Sequence, residues 1–265
     1  MSVQLPEGTM HALSLQFGGL LVFARFLPMA LLLPGVGGLQ IAWTARIGLA
    51  VVLSCLVAPL VVSAAWVAPH WEHPWSALGE SAFRGAAVGV TIRLLVASLA
   101  WAGDWISDLM GITPRESLPA EGFQDAQSPL GKLHGWLGLL IFWGIGGIPM
   151  AVDATLHSFQ GLPLVHDPQA AWSFASLVVG VLQQATELAV RVGSPVCLSL
   201  VAANLALALI QRSLPHWNVG SVHLAGQWIV LWVALLLTVG SHSDYVTNQW
   251  IATLSELGHT QVGLP

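Results

Sequence analysis

Apolar residues in this chain run in long blocks rather than alternating with polar ones. Residues 47–67, 133–152 and 192–211 contain no Asp, Glu, Lys or Arg. Each run is about 20 residues long, enough to cross a hydrocarbon core as a helix. Extending the blocks to their nearest breakers predicts six helical segments, at 10–33, 43–67, 81–110, 131–159, 172–212 and 222–256. Pro34-Gly35-Val36-Gly37-Gly38 separates the first two and Pro69-His70-Trp71-Glu72-His73-Pro74-Trp75 the next two. These stretches are rich in residues that stop helices or settle at a membrane–water boundary. The fifth segment would measure about 60 Å as one straight helix, twice a bilayer core. It therefore either breaks at Gly193-Ser194-Pro195 or extends well beyond the membrane plane. With the sixth segment it forms a long helical hairpin closed by Pro215-His216-Trp217-Asn218.

Charges interrupt several of these blocks. Arg25 lies inside the first, Arg93 inside 85–103, and Glu187 and Arg191 inside the fifth. A charge within an apolar helix is costly unless it is paired or faces a polar cavity, so such helices are expected to bury polar groups against partners. The fold expected is therefore all-α and membrane-associated. Glu187 and Arg191 have the favourable acid-before-base order one helical turn apart, and mutual neutralisation is the reading preferred for them. Gly85 and Gly89, four apart, fit close helix packing. Asp104 and Asp108 are read as a face turned to a hydrated cavity or a subunit boundary.

The most polar stretch is 111–131, with Pro114, Pro119 and Pro129 and the charges Arg115, Glu116, Glu121 and Asp125. A loop of that length in an apolar protein is usually functional or disordered. A second boundary falls at 162–168, between Pro163 and Pro168, and divides the chain into parts 1–165 and 166–265.

Composition sharpens this picture. Only 8% of residues are charged and 55% are hydrophobic, which excludes an ordinary soluble domain. Net charge is −5 with a single lysine, Lys132, so there is no basic cluster to neutralise phosphates and no nucleic-acid partner is expected. Cys55 and Cys197 are read as buried small hydrophobes. The first apolar segment lacks a basic leader and is expected to be retained as structure. Walker, dinucleotide-binding, zincin and nucleophile-elbow motifs are all missing, and neither an enzymatic role nor a cofactor is expected. Asp153 and His157 share a helix face and are read as a pair near a helix end rather than as an ion site.

The order of features resembles a known family. Arg25, Pro34-Gly35, Arg46-Ile47-Gly48-Leu49-Ala50 and Ala58-Pro59 are followed by Phe83-Arg84-Gly85-Ala86-Ala87-Val88-Gly89 with Arg93-Leu94. The run from Asn204 to Val219, containing Arg212, Pro215 and Asn218, completes the series, although His216 stands where glutamine is usual. Together these resemble the FliR/SctT family of type III secretion export-gate components, the flagellar form ahead of the injectisome form.

The resemblance implies a single copy wound into a helical hetero-oligomer with P-type and Q-type subunits and a further switch-type export protein. That assembly would sit in the bacterial inner membrane within the basal body, in contact with lipid and with exported protein substrates. Residues 1–165 would be P-type-like and 166–265 a Q-type-like hairpin. The 111–131 loop would be a plug, with Met110, Ile112 and Phe123 sealing it. Arg25, Arg46, Arg93, Glu187, Arg191, Asn204, Arg212, Pro215 and Asn218 would serve subunit contacts or helix packing. The reading set against this one is a small-molecule or ion transporter using the charges within its apolar segments.

Overall fold

The computed structural model describes residues 7–34, 42–62, 73–111, 128–159, 168–213 and 219–260, and is helical throughout them. Seven helices follow in order among the described residues: α1 (Glu7–Leu32), α2 (Trp43–Val61), α3 (Pro74–Leu109), α4 (Pro129–Gly144), α5 (Gly147–His157), α6 (Pro168–Ser213) and α7 (Val219–Thr260). The expected all-α class is thus borne out. The fourth expected segment is two helices, because Gly146 takes a left-handed φ of 74° that ends α4 and opens α5. Such a backbone suits glycine and breaks the α-helical ladder.

α6 settles the question of Gly193-Ser194-Pro195 in favour of continuity, since it runs unbroken for 46 residues with Pro195 inside it. Proline has no N–H for the carbonyl of Arg191. The neighbouring Ser194 hydroxyl turns back towards that carbonyl oxygen at 3.5 Å, and Ser199 Oγ donates to the Pro195 oxygen at 2.7 Å.

Four helices, Leu15–Leu32, Trp43–Val61, Pro74–Leu109 and Val178–Ser213, are long and apolar enough to cross a bilayer, and α4 with α5 could form a fifth, broken span. This is a membrane protein. The apolar stretch of α3 is 67% buried, whereas those of α2 and α6 are 17% buried. α3 is therefore the most buried of these four, while α2 and α6 turn leucine and valine outward. Cys55 lies on that outer surface of α2 and is exposed, contrary to the sequence reading; Cys197 is half-buried, and both thiols are free.

The residues form two compact units. The first takes Met1–Leu94, Gly146–Val181 and Ala252–Pro265. Within it α1 and α3 run parallel and very close. The Ser81 hydroxyl donates to the Leu21 carbonyl at 2.7 Å, Gly85 lies against the Arg25 carbonyl, and Gly89 lies beneath Met29 and Leu32. Ser81, Gly85 and Gly89 thus extend the small-residue spacing seen in the sequence into a stripe of three turns. A Cβ on Gly85 would come within 2.7 Å of the Arg25 carbonyl carbon. That is backbone, which no rotamer change can relieve. Gly85→Ala is therefore expected to push α1 off α3 and lower stability by about 3 kcal/mol or more, the upper range for overpacking. Gly79→Ala, where a Cβ meets open space, should be near neutral. The loss of protein on heating in detergent, compared for the two variants, checks this.

The second unit takes Leu95–Ile145 and Leu182–Ile251. Its apolar cluster joins Ile106 of α3 and Met110 just beyond its end, Leu130 of α4, Val196 and Leu200 of α6 and Leu231 and Ala234 of α7. α6 and α7 pair antiparallel here, with Gly226 beside Leu207 and Tyr245 beside Arg191. This is the helical hairpin read from the sequence.

Candidate interface and gate elements

The first unit contains a buried polar cluster built on Arg25. Only 4% of this residue is exposed. Its Nε donates to Ser81 Oγ at 3.2 Å, its Nη1 donates to Ser158 Oγ at 3.1 Å, and its guanidinium lies 4.1 Å from the centre of the Phe159 ring. Arg84 donates from Nη1 to the Ser158 carbonyl at 3.1 Å and pairs through Nη2 with Glu80 Oε1 at 3.0 Å. Ser158 thus receives both arginines, one on its hydroxyl and one on its carbonyl, just past the end of α5. α1, α3 and the α5 end are cross-linked by two cations and one carboxylate. Buried charges are tolerated only when paired and hydrogen-bonded in this way. Ser81, Ser158 and Phe159 are residues that sequence reasoning did not single out, and Glu80 and Arg84 were not among its expected interface residues, although Arg84 lies in the family-like run 83–89. Glu80 and Arg84 at i,i+4 were the available signal.

The second unit anchors both ends of the 112–127 segment. At the exit from α3, Gly111 takes a φ of 69°, and its N–H bonds the Asp108 carbonyl at 3.1 Å. At the return, Asp104 Oδ1 accepts from Ser128 N at 2.9 Å and from Ser128 Oγ at 2.6 Å. Ser128 Oγ also accepts from Gly131 N at 2.9 Å, so the N-cap of α4 is itself held by α3. Gly103 and Gly131 make the crossing possible, because a Cβ on Gly103 would lie 2.7 Å from the Leu130 carbonyl carbon and one on Gly131 would strike the Asp104 carboxyl. Met110 and Leu130, one on each side of the segment, share the apolar cluster.

The other sequence-singled residues fall as follows. Met110 is buried at 6% exposure, while Ile112 and Phe123 lie outside the described residues. Arg46 Nη1 donates to the Leu31 carbonyl at the end of α1, where helix carbonyls lack partners of their own. Glu187 and Arg191 pair at 2.6 Å, half-exposed, as expected, with Arg191 also 5.2 Å from the Tyr245 ring centre. Asn204 Oδ1 accepts from Gln227 Nε2 at 2.8 Å, which ties α6 to α7. Arg212 is exposed in the last turn of α6, and Pro215 and Asn218 lie outside the described residues. Arg93 is exposed on α3. Asp153 and His157 approach to 3.6 Å on the exposed face of α5. Asp104 is bound to Ser128, while Asp108 is exposed.

Comparison with known proteins places this architecture. The profile of Bacterial export proteins, family 1, matches residues 17–252, nearly the whole chain. The chain belongs to that family. The FliR/SctT resemblance read from the ordered motifs is therefore borne out. Among relatives, the chain is similar to the flagellar biosynthetic protein FliR of Aquifex aeolicus, 27% identical over 83% of this chain and 84% of the relative. It is also similar to FliR of Bacillus subtilis, 24% identical over 90% and 92%, and to FliR of Caulobacter vibrioides, 25% identical over 75% and 79%. As a family member, the chain is a transport component of an export apparatus.

Proposed function

We propose that this chain is a core subunit of the type III protein-export gate that builds the flagellum, and that it helps form and close the channel through which unfolded substrates pass. It sits in the bacterial inner membrane within the basal body, with P-type and Q-type subunits and a switch-type export protein as neighbours. Residues 1–165 act as the P-type-like part and 166–265 as the Q-type-like hairpin. The family match over residues 17–252 and the flagellar names of three relatives support the export role and its flagellar branch.

The observation that carries the gating part is the double anchoring of the 112–127 segment. Asp104 holds Ser128, and Met110 and Leu130 share one apolar cluster on the two sides of it. Flanking residues held on one cluster are what a plug would need, and they support this reading. In this reading Met110 is the foot, and Ile112 and Phe123 provide the seal. The outward apolar faces of α2 and α6 contact lipid or neighbouring subunits, and the function requires no cofactor and no bond-making step.

Removing the gene tests the reading. The strain should lose export of flagellar subunits and motility, with both restored by the intact chain. Normal flagella in its absence would overturn the assignment.

A further inference from the structure

Two exposed tryptophans bracket α2. Trp43 opens that helix and is 73% exposed, while Trp75, 84% exposed, lies in the first turn of α3. The register of the first unit sets their levels. Ser81 meets Leu21, Gly85 meets Arg25 and Gly89 meets Met29, so each α3 residue stands beside the α1 residue 60 places before it. α2 packs back along α1 from the contact between Arg46 and the Leu31 carbonyl. Carried along the helices, these pairings bring Trp43 level with the end of α1. They bring Trp75 and the last turn of α2 level with Leu15 and Gln16. The two indoles are therefore about 28 Å apart along the helix axes, close to the thickness of a hydrocarbon core. Between those levels the outside of α2 carries no charge. Val52, Cys55, Leu56 and Leu60 are exposed there, and Ser54, the one hydroxyl between Ile47 and Val61, turns inward to the Ala50 carbonyl. Arg25, Glu80 and Arg84 fall between the same levels but are buried in their own cluster. Arg93, the exposed charge on this part of α3, comes level with the end of α1 and so with Trp43, at an edge of the layer.

We propose that the outward face of α2 is a lipid-contact surface, covered by phospholipid acyl chains and not by another protein, in a layer edged by Trp43 on one side and Trp75 on the other. Three features favour acyl chains as the occupant. The face has the length of a hydrocarbon core. Indole rings, which settle at the membrane–water boundary, stand at both of its edges. Along it no polar side chain is turned outward to orient a protein neighbour, and the charges at these levels are either buried or at an edge, as a hydrocarbon surrounding demands. The inference goes beyond the export reading and fails separately from it, since co-purification tests the one and lipid contact the other.

Cys55 provides the probe, because it is a free thiol on the face in question. The full chain, carrying Cys197→Ala so that Cys55 is its single thiol, is expressed with cysteine-free export proteins, purified, labelled with a nitroxide and returned to phospholipid vesicles. Collisions of the label with oxygen, which concentrates in acyl chains, and with a water-soluble nickel complex then report its surroundings. At Cys55 the oxygen-to-nickel ratio should be several-fold higher than for a label at Trp43→Cys in a chain with both native cysteines changed to alanine. Weak collision with both reagents at Cys55 would mean that protein covers the face, and strong collision with nickel that water does; either overturns the inference. A second variant needs no label. Leu56→Trp should leave the yield of the chain and of its co-purified neighbours unchanged, because lipid accommodates a larger apolar side chain. Loss of those neighbours would reveal a packed protein seat and overturn the inference as well. If no export protein accompanies the chain, the export reading fails while the measurement at Cys55 still decides this one.

Discussion

Replacing Glu80 with glutamine should lower the stability of the chain by about 3–5 kcal/mol, the usual result of removing one partner from a buried ion pair. The substitution keeps the shape of the side chain and deletes only its charge. Arg25 and Arg84 then remain together in a pocket where the Glu80 and Arg84 side chains are 6% and 8% exposed, with no carboxylate between them. The hydrogen bonds to Ser81 and Ser158 persist but supply no negative charge. The matched control is Asp153→Asn. That carboxylate is 70% exposed beside a histidine that is 45% exposed, and surface pairs of this kind contribute about 1 kcal/mol or less. Thermal loss of the detergent-solubilised protein should therefore separate the two variants clearly. Equal stability in both would show that the arginine cluster does not hold the first unit together.

Deleting residues 114–127 should leave the assembled gate permeable to ions and small solutes while the assembly itself persists. A passive connector would tolerate shortening, because loop-closure entropy changes slowly with length. A plug would not, because the sealing Phe123 would go with it. The anchors predict a graded second result. Asp104→Ala removes the acceptor that holds Ser128 and so frees one foot of the segment without shortening it. It should raise leakage by less than the deletion does. Asp108→Ala, changing an exposed carboxylate on the same helix, should have little effect. Small-solute influx and membrane depolarisation, measured in cells carrying the full set of export proteins, read all three variants. Wild-type impermeability in an assembled deletion variant would locate closure on other subunits.

The helices were legible from the sequence because apolar run length and proline-glycine punctuation act locally. Even so, local signals left choices that longer-range structure resolved. Gly193-Ser194-Pro195 looked like a possible break, but Ser194 and Ser199 partner the carbonyls around Pro195 and α6 continues. At Gly146 the reverse holds, and one expected segment became two. Arg25 was visible as a charge that needed a partner. Its partners were not, because Ser81 and Ser158 lie 56 and 133 residues away in the chain. The Gly85 and Gly89 spacing gave close packing correctly, while the identity of the facing helix required the fold. Asp104 was read as facing a cavity or a subunit boundary, since no sequence spacing announces that Ser128 returns to it. Cys55 was misplaced for a different reason. In a membrane protein apolar runs also cover the outside, so residence in such a run does not imply burial.

A subunit of an export gate should be inseparable from its neighbours. The decisive test is affinity purification of the tagged chain from its native membrane in mild detergent, with mass spectrometry of what travels with it. P-type and Q-type export proteins should co-purify in a stable, stoichiometric complex, and the chain made without them should be poorly soluble or degraded. A monodisperse, cooperatively folding chain recovered with no export protein bound would contradict it.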